Sequence, residues 1–214
     1  MRLLKFLPFI CLLIFLSACK VDTEIDLYTT DIKDIDETTI LETPSVIKIE
    51  VTGCEDNKSQ IMEIAKKYFN VSSAPTCSSS DGEDFVEFSA KTPIIFEKEY
   101  LPGNIALGIL VTGGSGDSRK VSAMLDLSRF SAMESDVKKM DSTASLELNQ
   151  ISVNLSNDAR ETADIMVPAA FVNNSPEINA MFSLDRRDNA RIVVSNVGVA
   201  QTSSTGKGLI FEIK

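Results

Sequence analysis

The chain has 214 residues, with 31 acidic and 21 basic side chains, a net charge of −10 and no histidine. Such an acidic body is repelled by nucleic acid and by anionic lipid surfaces, so neither is an expected partner. Without imidazole, hydrolases that rely on a histidine base and metal sites built on histidine are excluded, and no cofactor motif is present.

The N-terminal stretch is the most informative part. Arg2 and Lys5 give a positive head, residues 6–16 an apolar core broken only by Pro8, and Leu16-Ser17-Ala18-Cys19 a small-residue exit. These are the parts of an export signal, too short to remain as a membrane span. The four closing residues resemble the bacterial lipobox, in which small residues admit the peptidase and the cysteine carries a diacylglyceryl thioether as the new N-terminus. The expected organisation is therefore a signal peptide over residues 1–18 and one domain over 19–214, long enough for a sizeable core. Losing Arg2 and Lys5 makes the remainder still more acidic, with no polybasic patch to support an anchor. Attachment would then rest on acyl chains such as palmitate, at roughly 0.8 kcal/mol per buried methylene.

The four cysteines divide by position. Cys11 leaves with the signal, Cys19 is the lipidation site, and Cys54 and Cys77 remain as a pair expected to form a disulfide in an oxidising compartment. Val21, Thr23, Ile25 and Leu27 alternate with polar residues, predicting a strand that starts two residues after the lipid and leaves almost no tether. One helical turn over 29–35, capped by Thr30 or Asp31, precedes a loop over 36–43 and a strand over 46–51. Ile61, Ile64, Ala65, Tyr68 and Phe69 form one apolar helical stripe, with a capping box at Asn57 and Gln60 and a stop at Asn70. The Ser/Asp/Gly-rich segment 72–84, which holds Cys77, reads as a loop.

Strands are predicted over 85–96 and 104–112, around a Pro102-Gly103 turn, and over 121–127 after a turn at 113–117. Phe130, Met133, Val137 and Met140 mark a second amphipathic helix. Strands at 144–155 and 163–172 follow; in the first, the apolar phase shifts between Leu148 and Ile151, predicting a bulge. The remainder reads as a three-strand meander over 178–184, 191–199 and 209–213, with a turn at 202–208. The fold class is α+β, a mainly antiparallel sheet of about seven to nine strands with two amphipathic helices in one domain.

No motif carries chemistry. The glycines of 113–116 lack the spacing of a phosphate loop, and Gly116-Asp117-Ser118 lacks the histidine that an esterase needs. The segment 204–208 fails in the same way. Ser135 and Lys138 have the spacing of a serine–lysine pair but sit among charges. Asp34, Asp36 and Glu37 lack the ordered ligands and turn glycine of a calcium loop, and no metal site is expected. Catalytic residues are therefore expected to be absent. The sequons at Asn70 and Asn154 carry no weight in a bacterium.

Cys19-Lys20-Val21-Asp22, followed by the alternating strand and a Thr/Asp-capped turn, resembles the opening of uncharacterised small lipoproteins of Gram-negative bacteria and their mobile elements. In lipoprotein sorting an Asp directly after the cysteine favours inner-membrane retention. Lys20 departs from that, so the resemblance implies a lipid-anchored protein of the outer membrane, facing the periplasm or the surface. It transfers no catalytic or binding residue. The expected role is a non-enzymatic interaction with an envelope protein. The alternatives are a lipid- or amphiphile-binding module around Phe69, Phe85, Phe88 and Phe96, and an envelope hydrolase.

Overall fold

A computed structural model describes residues 18–114 and 117–214. Residues 1–17 of the expected signal segment, including Leu16 and Ser17, lie outside the described residues, which begin at its last residue, Ala18.

In chain order, β1 (Ala18–Tyr28) leads through the single-turn α1 (Thr29–Asp34) to β2 (Ile40–Glu50) and α2 (Cys54–Tyr68). Next come the short β3 (Asn70–Val71), β4 (Thr76–Ser80), the long β5 (Glu83–Phe96), β6 (Leu107–Gly113) and β7 (Arg119–Leu125). After α3 (Leu127–Met140) follow β8 (Ser145–Ser156), β9 (Ala163–Val172), β10 (Ser175–Leu184), β11 (Asn189–Val194), α4 (Asn196–Thr205) and β12 (Lys207–Ile213).

The twelve strands of the described residues belong to one sheet, whose path runs β10-β9-β11-β8-β1-β2-β5-β6-β7-β12. The last strand also pairs with β9, setting Glu212 opposite Met166 and Ile213 opposite Ile165. Because β10 pairs with β9 along its whole length, β11 and β12 share the other edge of β9, and the path closes into a ring. Strand β5 divides its edge similarly among β4, β3 and β6.

The interior follows the period-two pattern. Val21, Thr23, Ile25 and Leu27 are all buried, and so are Ile47 and Ile49 on β2 and Ile151, Val153 and Leu155 on β8. Two helices lie across the ring rather than along it. Helix α1 touches both β1 and β7, which are not neighbours in the sheet, and α4 touches the paired β7 and β12 together with β8, which neighbours neither. Helices α2 and α3 pack on each other and bridge β5 to β8, next to the start of β1. Cys54, Ile61, Met62, Ile64 and Ala65 of α2 and Met133 and Val137 of α3 are their buried residues.

Several expectations are corrected. The fold is α+β with the sheet dominant, and the sheet is mixed, since β1 runs parallel to β8 and β5 parallel to β6 among otherwise antiparallel pairs; in place of seven to nine strands and two helices, the described residues hold twelve strands and four helices. The C-terminal strands form no meander: β11 sits between β9 and β8, and β12 between β7 and β9. The stretch read as continuing a strand to 199 turns into α4. There Ser195 caps the helix, its Oγ accepting from the Gly198 N–H at 3.3 Å, and Thr202 donates to the Gly198 carbonyl at 2.9 Å. A Cβ on Gly208 would stand 2.1 Å from Thr202 Oγ1, so the absence of a side chain lets β12 lie against this helix. The loop assigned to 72–84 holds β4, a polar strand that borrows its order from β5.

Helix caps are also corrected. Helix α2 starts at Cys54 behind Gly53, and the Asn57 side chain donates backwards to the Thr52 carbonyl at 2.8 Å. Helix α1 has no cap of its own, and Asp158 from the loop after β8 accepts from the Thr30 N–H at 3.0 Å. The bulge falls where the phase shift predicts it. Val21 faces Leu148 and Asp22 faces Gln150, leaving Asn149 as the extra residue.

Candidate functional site

Cys19 is the second residue of β1 and continues its inward-facing stripe. It lies opposite Leu146 of β8, is half-buried and packs against the core. The bond between Ala18 and Cys19 is thus part of a paired strand, since Ala18 lies opposite Ser145.

The side chain opens into a cleft of about 400 Å³ between the start of β1, the end of β2 and helices α2 and α3. Val51, Ile61, Val137, Met140 and Ala144 give it an apolar wall, while Glu50, Asn57, Asp141 and Ser142 form a polar rim. Burial pushes the Cys19 thiol above its ordinary range, and the Glu50 and Asp141 carboxylates push it further in the same direction. A thiolate is disfavoured here, so the environment suits a neutral sulfur rather than a nucleophile or a metal ligand.

Lys20 points to the other face of β1. It bonds to Glu83 and lies 3.7 Å from Glu50, and the Glu83 hydrogen bond raises its pKa first, against a smaller opposing effect of desolvation. Asp22 accepts from the bulge residue Asn149 at 2.7 Å. These residues border a polar groove of about 450 Å³ on the outer face of β1, β2 and β8. Its charges are largely paired internally: Arg191 lies 3.6 Å from Glu24, and Lys48 lies 3.2 Å from Glu87.

Cys54 and Cys77 form the expected disulfide, with S–S 2.00 Å and Cα–Cα 5.8 Å. It joins the first residue of α2 to β4, stapling the helix to an outer strand.

The other residues singled out by sequence are not brought together. Ser135 donates to the Ser131 carbonyl at 3.0 Å, and Lys138 reaches Glu134 at 2.6 Å rather than the serine. Asp36 accepts from Thr38 and Thr39 in a local turn. Phe69, Phe85 and Phe88 are buried, with the Phe69 and Phe88 rings 6.0 Å apart, while Phe96 lies under the Arg119 guanidinium at 4.4 Å. Among the described residues no helix is long and apolar enough to cross a membrane, and no three His, Cys, Asp or Glu side chains converge on a metal-sized site.

Three features escaped the sequence reading. Asp136 accepts from Lys67, Tyr68 and Lys139, joining α2 to α3, and these bonds, led by that from Lys139, hold its carboxyl well below the usual range. Asn157, fully buried, accepts from Thr29 at 2.8 Å and donates to the Glu161 and Leu184 carbonyls at 2.8 and 2.7 Å. On β10, Ile178 and Met181 are 78% and 67% exposed, unusual for large apolar side chains. The only sequence signal for the last is that Met181 breaks the alternation of Ile178, Ala180 and Phe182.

No curated protein and no solved structure matches the chain. A family model described as a domain of unknown function (DUF7424) matches residues 21–214. The match begins two residues after Cys19 and runs through every helix and strand from β1 to β12, so the chain belongs to the DUF7424 family.

Proposed function

We propose that this protein is a bacterial envelope lipoprotein, anchored through acylated Cys19 in the outer membrane, whose folded body works by contacting another envelope protein rather than by catalysis. The observation that carries the reading is the place of Cys19 inside a paired strand. Strand β1 is already paired at Ala18 and Cys19, so a lipid on Cys19 would hold the domain directly against the bilayer with no tether between them. Acylation would also remove the ionisable thiol from a site where burial, Glu50 and Asp141 oppose its ionisation.

The proposed contact surface is β10. Among the described residues it pairs only with β9, so its outer edge carries unpaired backbone groups beside the exposed Ile178 and Met181. An apolar edge of this kind suits strand addition by a partner chain.

The test is the intact mass of protein extracted from the membrane of an expressing Gram-negative bacterium, with Cys19→Ala as control. The reading expects the mass of a chain starting at Cys19 plus a diacylglyceryl group, and sedimentation with outer-membrane markers. An unmodified chain sedimenting with the soluble fraction overturns the anchor. A photo-crosslinker at Ile178 that captures no envelope protein in cells overturns the contact role.

A further inference from the structure

We propose that the cleft between α2 and α3 is the lipid exit: the diacylglyceryl group carried by Cys19 lies in it and leaves through its mouth, so that this mouth is the face of the domain set on the bilayer. The inference rests on the reading of Cys19 as acylated, and adds where the lipid goes and how the body is turned.

Side-chain direction fixes the route. In a strand, successive side chains point to opposite faces, and Cys19 shares the face of Val21, Thr23 and Ile25, all buried. Lys20 takes the outward face and is held there by Glu83 and Glu50. A group attached to the sulfur therefore starts on the inner side of β1, where the cleft of about 400 Å³ is the space its own side chain already lines. The outward route would require β1 to turn over, which would put Val21 into water and break its register with β8.

The lining suits the occupant. Val51, Ile61, Val137, Met140 and Ala144 offer an apolar wall to methylene groups, and Glu50, Asn57, Asp141 and Ser142 make the rest of the lining polar, as suits the ester end of the lipid. A thioether is uncharged, so it tolerates Glu50 and Asp141 where a thiolate does not. The space admits only the first part of two long chains, so the remainder must pass through the mouth. Strand β1 then runs away from the membrane, carrying α1 to a point about 30 Å from Cys19 at the usual rise per residue.

The experiment uses the full chain, expressed and processed in cells, purified and set in phosphatidylcholine vesicles containing doxyl-labelled lipid. Because Cys19 would be a thioether and Cys54 and Cys77 a disulfide, a single added cysteine is the only thiol to label with a fluorophore. Three exposed positions separate the routes: Ser142→Cys at the cleft mouth, Ser80→Cys on the outward side beside Glu83, and Glu37→Cys beyond α1. Intact mass is read first, and a chain without the diacylglyceryl group overturns both the anchor and the exit route. With the lipid present, quenching several-fold stronger at Ser142 than at Ser80, and weakest at Glu37, is expected. Equal or stronger quenching at Ser80 or Glu37 overturns the exit route and leaves the anchor standing. Adding Met140→Glu, a half-buried wall position, should lower the Ser142 signal towards that of Ser80 with little change in Tm, whereas an unaltered quenching order overturns occupancy of the cleft.

Discussion

Two outer strands, β4 and β10, each pair among the described residues with a ring strand on one side only, and they are secured by opposite means. Strand β4 is Thr-Cys-Ser-Ser-Ser, with Ser78 and Ser79 bonded to Glu87 and Asp84 of its neighbour and Cys77 bonded covalently to α2. Strand β10 has no covalent tie. Its ladder is interrupted at Asn179, which takes φ 48°, although the register is the same on both sides, and its far end is held by the Leu184 carbonyl on buried Asn157. The polar edge, which gives a stray strand little to grip, is locked, while the edge bearing Ile178 and Met181 stays open. A protein guarding only against aggregation would be expected to do the reverse, and this contrast is what the proposed contact role of β10 rests on.

The sharpest way to break the contrast is at Asn157. Replacement by alanine deprives the Leu184 and Glu161 carbonyls of a buried donor and leaves the Thr29 hydroxyl with Asp158 alone, and should cost roughly 3 kcal/mol in a denaturant titration. Hydrogen exchange should then rise first at the Leu184 end of β10. Next comes the staple. Cys54→Ser with Cys77→Ser should cost about 3 kcal/mol in the chain-entropy picture and free β4 to exchange while β10 is unaffected. Equal protection of both edges in either variant would break the division of roles.

A smaller effect is expected between the helices. The Asp136 carboxylate is depressed by bonds from Lys139, Lys67 and Tyr68, so it stabilises the fold above its unfolded value, about 3.9, and loses that contribution as pH falls through the folded value. Asp136→Asn should therefore lower stability by about 1 kcal/mol near neutral pH, and the gap from the parent should narrow in acid. A gap that widens in acid would contradict this reading of the cluster. Smallest of all in stability are Ile178→Lys and Met181→Lys, expected within about 0.5 kcal/mol because both side chains already face water. They should nonetheless remove partner cross-linking at β10. A large loss of Tm in either would mean that this edge is structural after all.

Local features were legible in the sequence where one physical preference dominated. The alternation from Val21 to Leu27, the apolar stripe of Ile61, Ile64 and Ala65, and the bulge at Asn149 were all visible as periodicity. The disulfide followed from cysteine use. What stayed hidden depends on partners far along the chain. The serines of β4 have weak strand preference and are ordered by pairing with β5, and α4 is rich in Ser and Thr yet buries Val199 and Thr202 against the sheet. Of the candidate site, Cys19 itself was legible. Its cleft was not, because Val51, Ile61, Val137 and Ala144 meet only when the ring brings four elements together.

The closure of the ring has a consequence in time. The amino-terminal strand finds its parallel neighbour β8 only across a span such as the 127 residues between Asp22 and Asn149, and the gap between β7 and β9 is filled by β12, the last strand before Lys214. Pairings this distant slow folding, because a long loop must be closed before any contact repays it. A nascent chain lacking β12 has both a split ring and two open edges. The closed ring can therefore form only once β12 has been made, and until then β7 and β9 each lack a partner along the edge that β12 will take.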